Sequence, residues 1–383
     1  MNEFDALIIG AGPAGASCAL GLVKRGWRVV LIDKSIFPRP KTCGGFIGPE
    51  NEELLTDFGI WPKLLEQGAC IIEESMLSSS KGASSIIPID GKALGVSRKV
   101  FDSLMLNLVK SKDVEVFEGC KARNIYKGLG GFEITLDHHS QNCEFNLKCR
   151  HLIDASGQHS PSVTFSKLQY GLSAMYQGIP QSFKRVMLHC CEGGHVGINP
   201  FENGLVNVCY VVDSRYFKDQ GQNPEKVLMS WIRQSAPLHH AMIGAMRVSP
   251  WKAIQIPVRH SIVHYENGIW RVGNSSAFID TVMGAGISIA LQGGKLLAKV
   301  ITGYSQDAER IKAYTYEYKK NFIAQRRLAG LFGQVAHHPW AVDTIIRFLD
   351  INKKFRKTAM RYSRPRLMSN NKIGYVRGVL NEV

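Results

Sequence analysis

The chain has no CxxC pair, no HExxH, and no apolar run of the roughly 18 residues that a bilayer-spanning helix needs. Its nine cysteines are odd in number and scattered, which reads as reduced thiols rather than a disulfide framework or a zinc site, and no metal is expected. An apolar strand begins within a few residues of Met1, leaving no space for the basic and apolar regions of a signal peptide, so a cytoplasmic location is expected. Disorder is excluded by composition: 45% of the 383 residues are hydrophobic and 21% charged, enough for a large core in one elaborated domain or two interleaved ones. The net charge of +15 is not organised around interleaved aromatics, and no nucleic-acid partner follows from it.

What is present starts at once. The run ALIIGAGPAGASCALGLVKRGWRVVLIDK contains a buried-strand pattern over 6–9, a glycine turn, a helix from Pro13 to about Arg25, and a second strand over 28–32 that ends in Asp33. Gly10 permits the tight turn, Gly12 lets the backbone approach a pyrophosphate, and Gly15 lets the helix pack on the strand. Pro13 and Ala14 open the helix, whose free amides and positive dipole end face the phosphates. Asp33, followed by Lys34, is placed to accept hydrogen bonds from a ribose. A second GxGxxG is lacking, which points to one tightly held dinucleotide and no dedicated nicotinamide domain.

Three later segments narrow the dinucleotide. FPRPKTCGGFIGPE, residues 37–50, is kept from helix by its prolines and offers Gly44-Gly45 as a turn where backbone can lie against a flat ring. VSRKVFDSLMLNLV starts an amphipathic helix near Arg98, and LIDASGQHS runs a strand into a small-residue turn at Gly157. The late run VGNSSAFIDTVMGAG, residues 272–286, leads into the helix GISIALQGGKLLAKVI.

Together, GxGxxG, PxxKxCGG, RxxFDxxL and GxxxxFxDxxxGxGI resemble the geranylgeranyl reductase family of p-hydroxybenzoate hydroxylase-like FAD enzymes, which also include flavin halogenases. The resemblance covers residues 1 to about 300 and implies FAD as cofactor. It implies a glutathione reductase type, Rossmann-like FAD-binding α/β domain with an interleaved antiparallel-sheet substrate domain. Arg98 and Lys41 would contact the cofactor, Cys43, Gly44 and Gly45 would lie near the isoalloxazine, and Gly273, Asp280, Gly284, Ala285, Gly286 and Ile287 would bring a helix beside it.

The chain also departs from the family pattern. Asn274 stands where the family has an aspartate; its amide oxygen can accept from ribityl hydroxyls but without charge, which predicts looser FAD binding. In HVGINPFENGLVNV, residues 195–208, Pro200, Gly204, Asn207 and Val208 match, whereas His195, Gly197 and Asn199 replace bulky aromatic positions. Ser156 replaces the aspartate of the hydroxylase pattern, and the tryptophan signature of the halogenases is lacking.

Cys43 and His195 are the candidate catalytic side chains, with His189 expected on the same strand face as His195. The expected layout is an FAD domain from residues 1–75, 98–160 and 255–300, a substrate domain from 76–97 and 161–254, and helices over 301–383. Ala341, Val342, Ile345, Ile346 and Leu349 form an apolar stripe, and from Arg347 to Arg377 ten Lys or Arg face one acid, a pattern that fits either a packed helix or peripheral membrane contact.

The function expected is an FAD-dependent oxidoreductase that reduces a double bond in a hydrophobic or aromatic small molecule. The electrons would come from NAD(P)H or a partner reductase. Monooxygenation of an aromatic ring and flavin or lipid binding without turnover are the alternatives.

Overall fold

The computed structural model describes residues 3–138, 143–160, 168–180, 184–257 and 262–352. Among the described residues, two sheets and ten α-helices carry the fold. The first sheet is built from β1 (Glu3–Ile9), β2 (Val29–Asp33), β6 (Val114–Glu118), β7 (Cys120–Gly128), β8 (Gly131–His138), β9 (Cys143–Asp154), β16 (Tyr265–Glu266) and β17 (Ile269–Arg271). Its strands run β16-β17-β9-β1-β2-β6, parallel from β17 to β6. Ala6, Leu7, Ile8 and the apolar run of β2 are buried on both faces, which is why these strands read as continuous hydrophobic runs.

Helix α1 (Pro13–Val23) covers one face of this sheet and is itself crossed by α8 (Gly286–Gly303), with the Ser17 hydroxyl donating to the Leu291 carbonyl at 2.7 Å. Helices α2 (Glu52–Asp57), α3 (Trp61–Glu66) and α4 (Arg98–Lys110) extend the same core.

The second sheet comprises β3 (Phe46–Ile47), β4 (Cys70–Ser79), β5 (Ser84–Gly95), β10 (Leu168–Gln177), β11 (Arg185–Cys191), β12 (Gly194–Pro200), β13 (Val206–Asp213), β14 (Met246–Arg247) and β15 (Lys252–Pro257). Its pairs are antiparallel except β4 with β11, which run parallel because the chain leaves for the first sheet between them. Strand β4 begins at Cys70, inside the 1–75 stretch read as FAD domain, and β3 also joins this sheet. The reason is that Ile72 and Phe46 pack with Ile89 and Ala93 in one small core.

Helices α5 (Ser214–Asp219), α6 (Pro224–Gln234) and α7 (Ala236–Ala241) cover the outer face of the second sheet. Trp231 is fully buried there, worth about 2–3 kcal/mol in area removed from water, and its indole donates to the Glu192 carbonyl at 3.0 Å.

The chain closes with α9 (Asp307–Val335) and α10 (Pro339–Ile351). Tyr314, Tyr318 and Phe322 bury the first half of α9 in the core of the first sheet, and α10 lies on β4, β5 and β11. Val342, Ile346 and Leu349 of the stripe are buried and Ala341 and Ile345 half-buried, so that stripe faces inward. The basic run beyond residue 352 lies outside the described residues.

Candidate functional site

One cavity of about 970 Å³ runs from the glycine turn after β1, between the two sheets, to α9 and α10. Gly12, Pro13 and Ala14 line its first end. Gly10 and Gly15 stand just behind: a methyl on Gly15 would lie 1.9 Å from the Gly10 carbonyl oxygen, so only glycine lets α1 begin this close to the strand. The Asp33 carboxylate accepts from the amides of Ala11, at 2.8 Å, and Ser35, at 2.9 Å, and so ties β2 to the turn.

Arg98 sits at the start of α4, where the Ser97 hydroxyl caps the helix by accepting the Val100 amide. Its guanidinium donates twice to the fully buried Asp102 carboxylate, at 2.7 and 2.8 Å, and lies 3.9 Å from the place a Gly12 methyl would occupy. Burial opposes the Arg98 charge, but the Asp102 and Cys43 side chains outweigh it and raise its pKa. Arg39 approaches Asp102 at 3.3 Å. Lys41 extends into the cavity and is solvent-accessible there; partial desolvation between the cavity walls, then the Arg98 and Arg39 cations, lower its pKa to about 8. Arg39 also approaches Asp33, at 3.8 Å, so three cations against two carboxylates leave a positive excess beside the amides of the glycine turn, which is what a pyrophosphate requires.

The next part of the cavity is walled by Cys43, Gly44 and Gly45 on one side and by Gly273, Asn274, Gly284, Gly286 and Ile287 on the other, with Gly157 at the edge. Two amides of the second sheet hold the first wall. Asn207 donates to the Cys43 carbonyl at 3.0 Å and Asn199 to the Gly44 carbonyl at 2.9 Å. Gly45 has φ +63°, and a side chain there would meet the Phe201 ring and the Val96 carbonyl. Opposite, α8 opens with no side-chain cap, so the first-turn amides of Gly286 and Ile287 face the cavity unspent. A glycine-lined slot, a helix N-terminus and a cationic group beyond them fit an isoalloxazine, its ribityl chain and a pyrophosphate in that order. The residues present fit FAD.

Beyond the slot the cavity is apolar. Met76, Leu77, Met187, Leu188, Ile254 and Phe332 are among its walls. Of the described lining residues, Lys41 and Arg98 alone are charged, and both belong to the pyrophosphate end. His195 lines this half from β12, whose Val196 and Ile198 turn into the core beneath α6. It is 5% exposed, its Nδ1 has no partner among the described residues, and its ring stands edge-on to that of His337 at 6.3 Å. Burial, and secondarily His337, lower its pKa to about 3, so the imidazole is neutral at physiological pH. The Cys209 thiol also lines the cavity, raised to about 12 by burial.

Several expectations require correction. His189 does not share a face with His195. The tight turn pairs Cys191 with Gly194, so His189 lies opposite Val196, its Nδ1 2.5 Å from the Ser78 hydroxyl. Asp280 does not line the cavity: its carboxylate accepts the Val282 amide as a turn cap and rests against Gly333 of α9, where burial raises its pKa to about 6. Lys34 is exposed and does not line the cavity, because alternation turns it away from the buried Asp33. Ala285 is buried behind the lining as the residue before α8.

The pins at Asn199 and Asn207 and the wall formed by Phe332, Val335, Ile345 and Leu349 were not foreseen as site features. The signal for the asparagines was their two-residue alternation with His195 and Cys209. The signal for the wall was the apolar stripe itself.

Comparison with known proteins agrees with this geometry. A menaquinone reductase of Mycobacterium tuberculosis is 24% identical over 397 residues, covering 96% of this chain and 91% of the relative. A 1H-pyrrole-2-carbonyl-[peptidyl-carrier protein] brominase of Pseudoalteromonas luteoviolacea is 22% identical, with 91% and 93% covered. A solved flavin-dependent brominase superposes with a TM-score of 0.81 at 18% identity over 94% of this chain and 93% of its own. A geranylgeranyl bacteriochlorophyll reductase-like protein of Thermoplasma acidophilum does so at 0.77 and 16% identity over 95% and 96%. Residues 3–322 match the FAD binding domain family, and the chain belongs to it as a FAD-dependent enzyme of the oxidoreductase, monooxygenase and halogenase type.

Proposed function

We propose that this enzyme reduces a double bond in an apolar, ring-bearing small molecule such as a quinone or a conjugated enone. The observation that carries the reading is the reaction half of the cavity, whose described walls are mostly apolar and bear neither a lysine nor a carboxylate. Such a site binds a greasy ring by area and grips one polar atom of it. Bound FAD supplies the hydride for such a reduction.

The chain's own residues divide the remaining work. The Arg98, Lys41 and glycine-turn amides hold the pyrophosphate, and Asn199 and Asn207 hold the Cys43-Gly44 wall in place. His195, neutral, buried and with its Nδ1 unspent among the described residues, is a polar group positioned to hydrogen-bond a substrate oxygen. A neutral imidazole is a poor proton source, and the Cys43 thiol beside the slot is the better placed proton carrier. With no second GxGxxG in the sequence, NAD(P)H or a partner reductase reduces the enzyme by transient docking. The named activity of the menaquinone reductase relative supports a quinone as the first substrate to try.

The test is to reduce the yellow enzyme without air and mix it rapidly with oxygenated buffer, with and without quinone or aromatic candidates. Direct, slow return of the oxidised flavin spectrum, together with quinone-dependent oxidation in the absence of oxygen, is the expected result. A transient spectrum between the reduced and oxidised forms, drained by an aromatic substrate, would replace this reading with monooxygenation or halogenation.

A further inference from the structure

The apolar stripe of α10 that looked able to meet a membrane is buried, yet the same helix carries a second apolar face. Trp340, Phe348 and Ile351 are 68%, 50% and 85% exposed and, with Thr344, recur at the spacing of one helix side. Leu331, near the end of α9, is 64% exposed. Leu331 and Phe348 also line the cavity, so the exposed apolar surface is continuous with the mouth of the substrate half. Large side chains exposed together in this way mark a contact surface rather than scattered surface hydrophobes.

Around this face Arg327 and Arg347 are matched by Asp343 and Asp350, and the positive excess lies in the sequence that follows. Arg327 lies exposed one turn before Leu331, and Arg347 lies on α10, where it pairs with Asp343. Asp350, the one other acid nearby, hydrogen-bonds the Ser85 hydroxyl. Directly after α10 the sequence reads Lys353-Lys354-Phe355-Arg356-Lys357, and residues 353–377 hold nine Lys or Arg and no Asp or Glu. A tryptophan and other apolar side chains followed in the sequence by a block of like positive charge match an anionic bilayer surface, where apolar groups sink to the acyl boundary and cations stay at the headgroups.

We propose that the exposed face of α10, with Leu331 of α9, docks the enzyme on an anionic lipid bilayer, so that an apolar substrate passes from the lipid directly into the cavity. The passage of substrate rests on the functional reading above; the docking does not. The two fail separately, because vesicle binding is measured without turnover and the oxygen reaction without vesicles.

The experiment uses the full-length holoenzyme with phosphatidylcholine vesicles, with and without phosphatidylglycerol, and with lipids brominated along the acyl chains. Sedimentation with the anionic vesicles is expected, with a portion that persists at high salt, and the brominated chains should quench tryptophan fluorescence. Trp340→Phe should remove most of that quenching while sedimentation remains. Trp340→Ser combined with Ile351→Ser should cut the salt-resistant binding by about tenfold while FAD content, the folding control, stays unchanged. Three outcomes would overturn the proposal: no sedimentation; sedimentation that vanishes at high salt with no quenching, which is contact by the basic run alone; or capture of an acidic carrier domain without vesicle binding, which makes the partner a protein.

Discussion

The two ends of the cavity are made of opposite materials by opposite routes. At the dinucleotide end, a continuous run from Ala6 to Asp33 forms the strand, turn, helix and acid, and two arginines pair with Asp102. At the substrate end no segment is sufficient: β4, β5, β11, β12, β13, α9 and α10 each add between one and five residues, most of them apolar. The first end recognises a ligand through amides and charge and tolerates little change of residue. The second recognises through shape, and its residues can be exchanged while the wall persists. Asn199 and Asn207 join them, because they stand on the substrate sheet and hold the flavin wall.

The largest effect expected falls on the turn itself. Gly15→Ala places a methyl against the Gly10 carbonyl and should give a colourless protein that FAD does not reconstitute, read as the flavin-to-protein absorbance ratio. Retained yellow colour would dissolve the contrast between a strict end and a tolerant one.

Arg98→Ala comes next, leaving the buried Asp102 with Arg39 as its remaining cation. FAD affinity should fall about a hundredfold in a fluorescence titration. Adding Asp102→Ala should restore the melting temperature but not the affinity, which separates cofactor binding from repair of a buried charge.

Protons should act on the other side of the comparison. The pKa values of His195, His189 and His264 are lowered to about 3, 4 and 4 by burial. The unfolded chain therefore binds more protons than the folded one below pH 6.5, and stability present above that pH is lost as pH falls toward 3 to 4. A loss on the order of 2–3 kcal/mol per histidine by pH 4 is expected from urea melts, and replacing His189 and His195 with glutamine should flatten the slope.

The link between the ends should cost least. Asn199→Ala removes one hydrogen bond to the Gly44 carbonyl, about 1 kcal/mol of stability, and should slow flavin reduction more than it weakens FAD binding. An equal effect on both would make the pin part of the cofactor site alone.

The dinucleotide end was legible because its information is local. Gly10, Gly12, Gly15 and Asp33 lie within one strand-helix-strand unit, where spacing alone sets their relative positions. Legibility failed where a side chain had two competing partners. Asp280 has the right spacing for a flavin contact, but its own turn amide and Gly333, a helix away, claim it. His189 and His195 are separated by an even number of residues, which would put them on one face of an unbroken strand. The chain reverses between them, and the hairpin register sends them to opposite faces. The stripe on α10 was visible as apolar, but periodicity states that a face is buried and not what buries it.

By itself, then, the sequence determined the cofactor class and the place where its phosphates lie, because a glycine turn between a strand and a helix encodes its ligand in backbone geometry. Tertiary structure decided the rest. It set the two asparagines under the flavin wall, turned one histidine of two into the cavity, and made a wall of the C-terminal helices with their other face outward. Each of these depends on contacts between residues far apart in the chain, and spacing along the chain carries no record of which surfaces will meet.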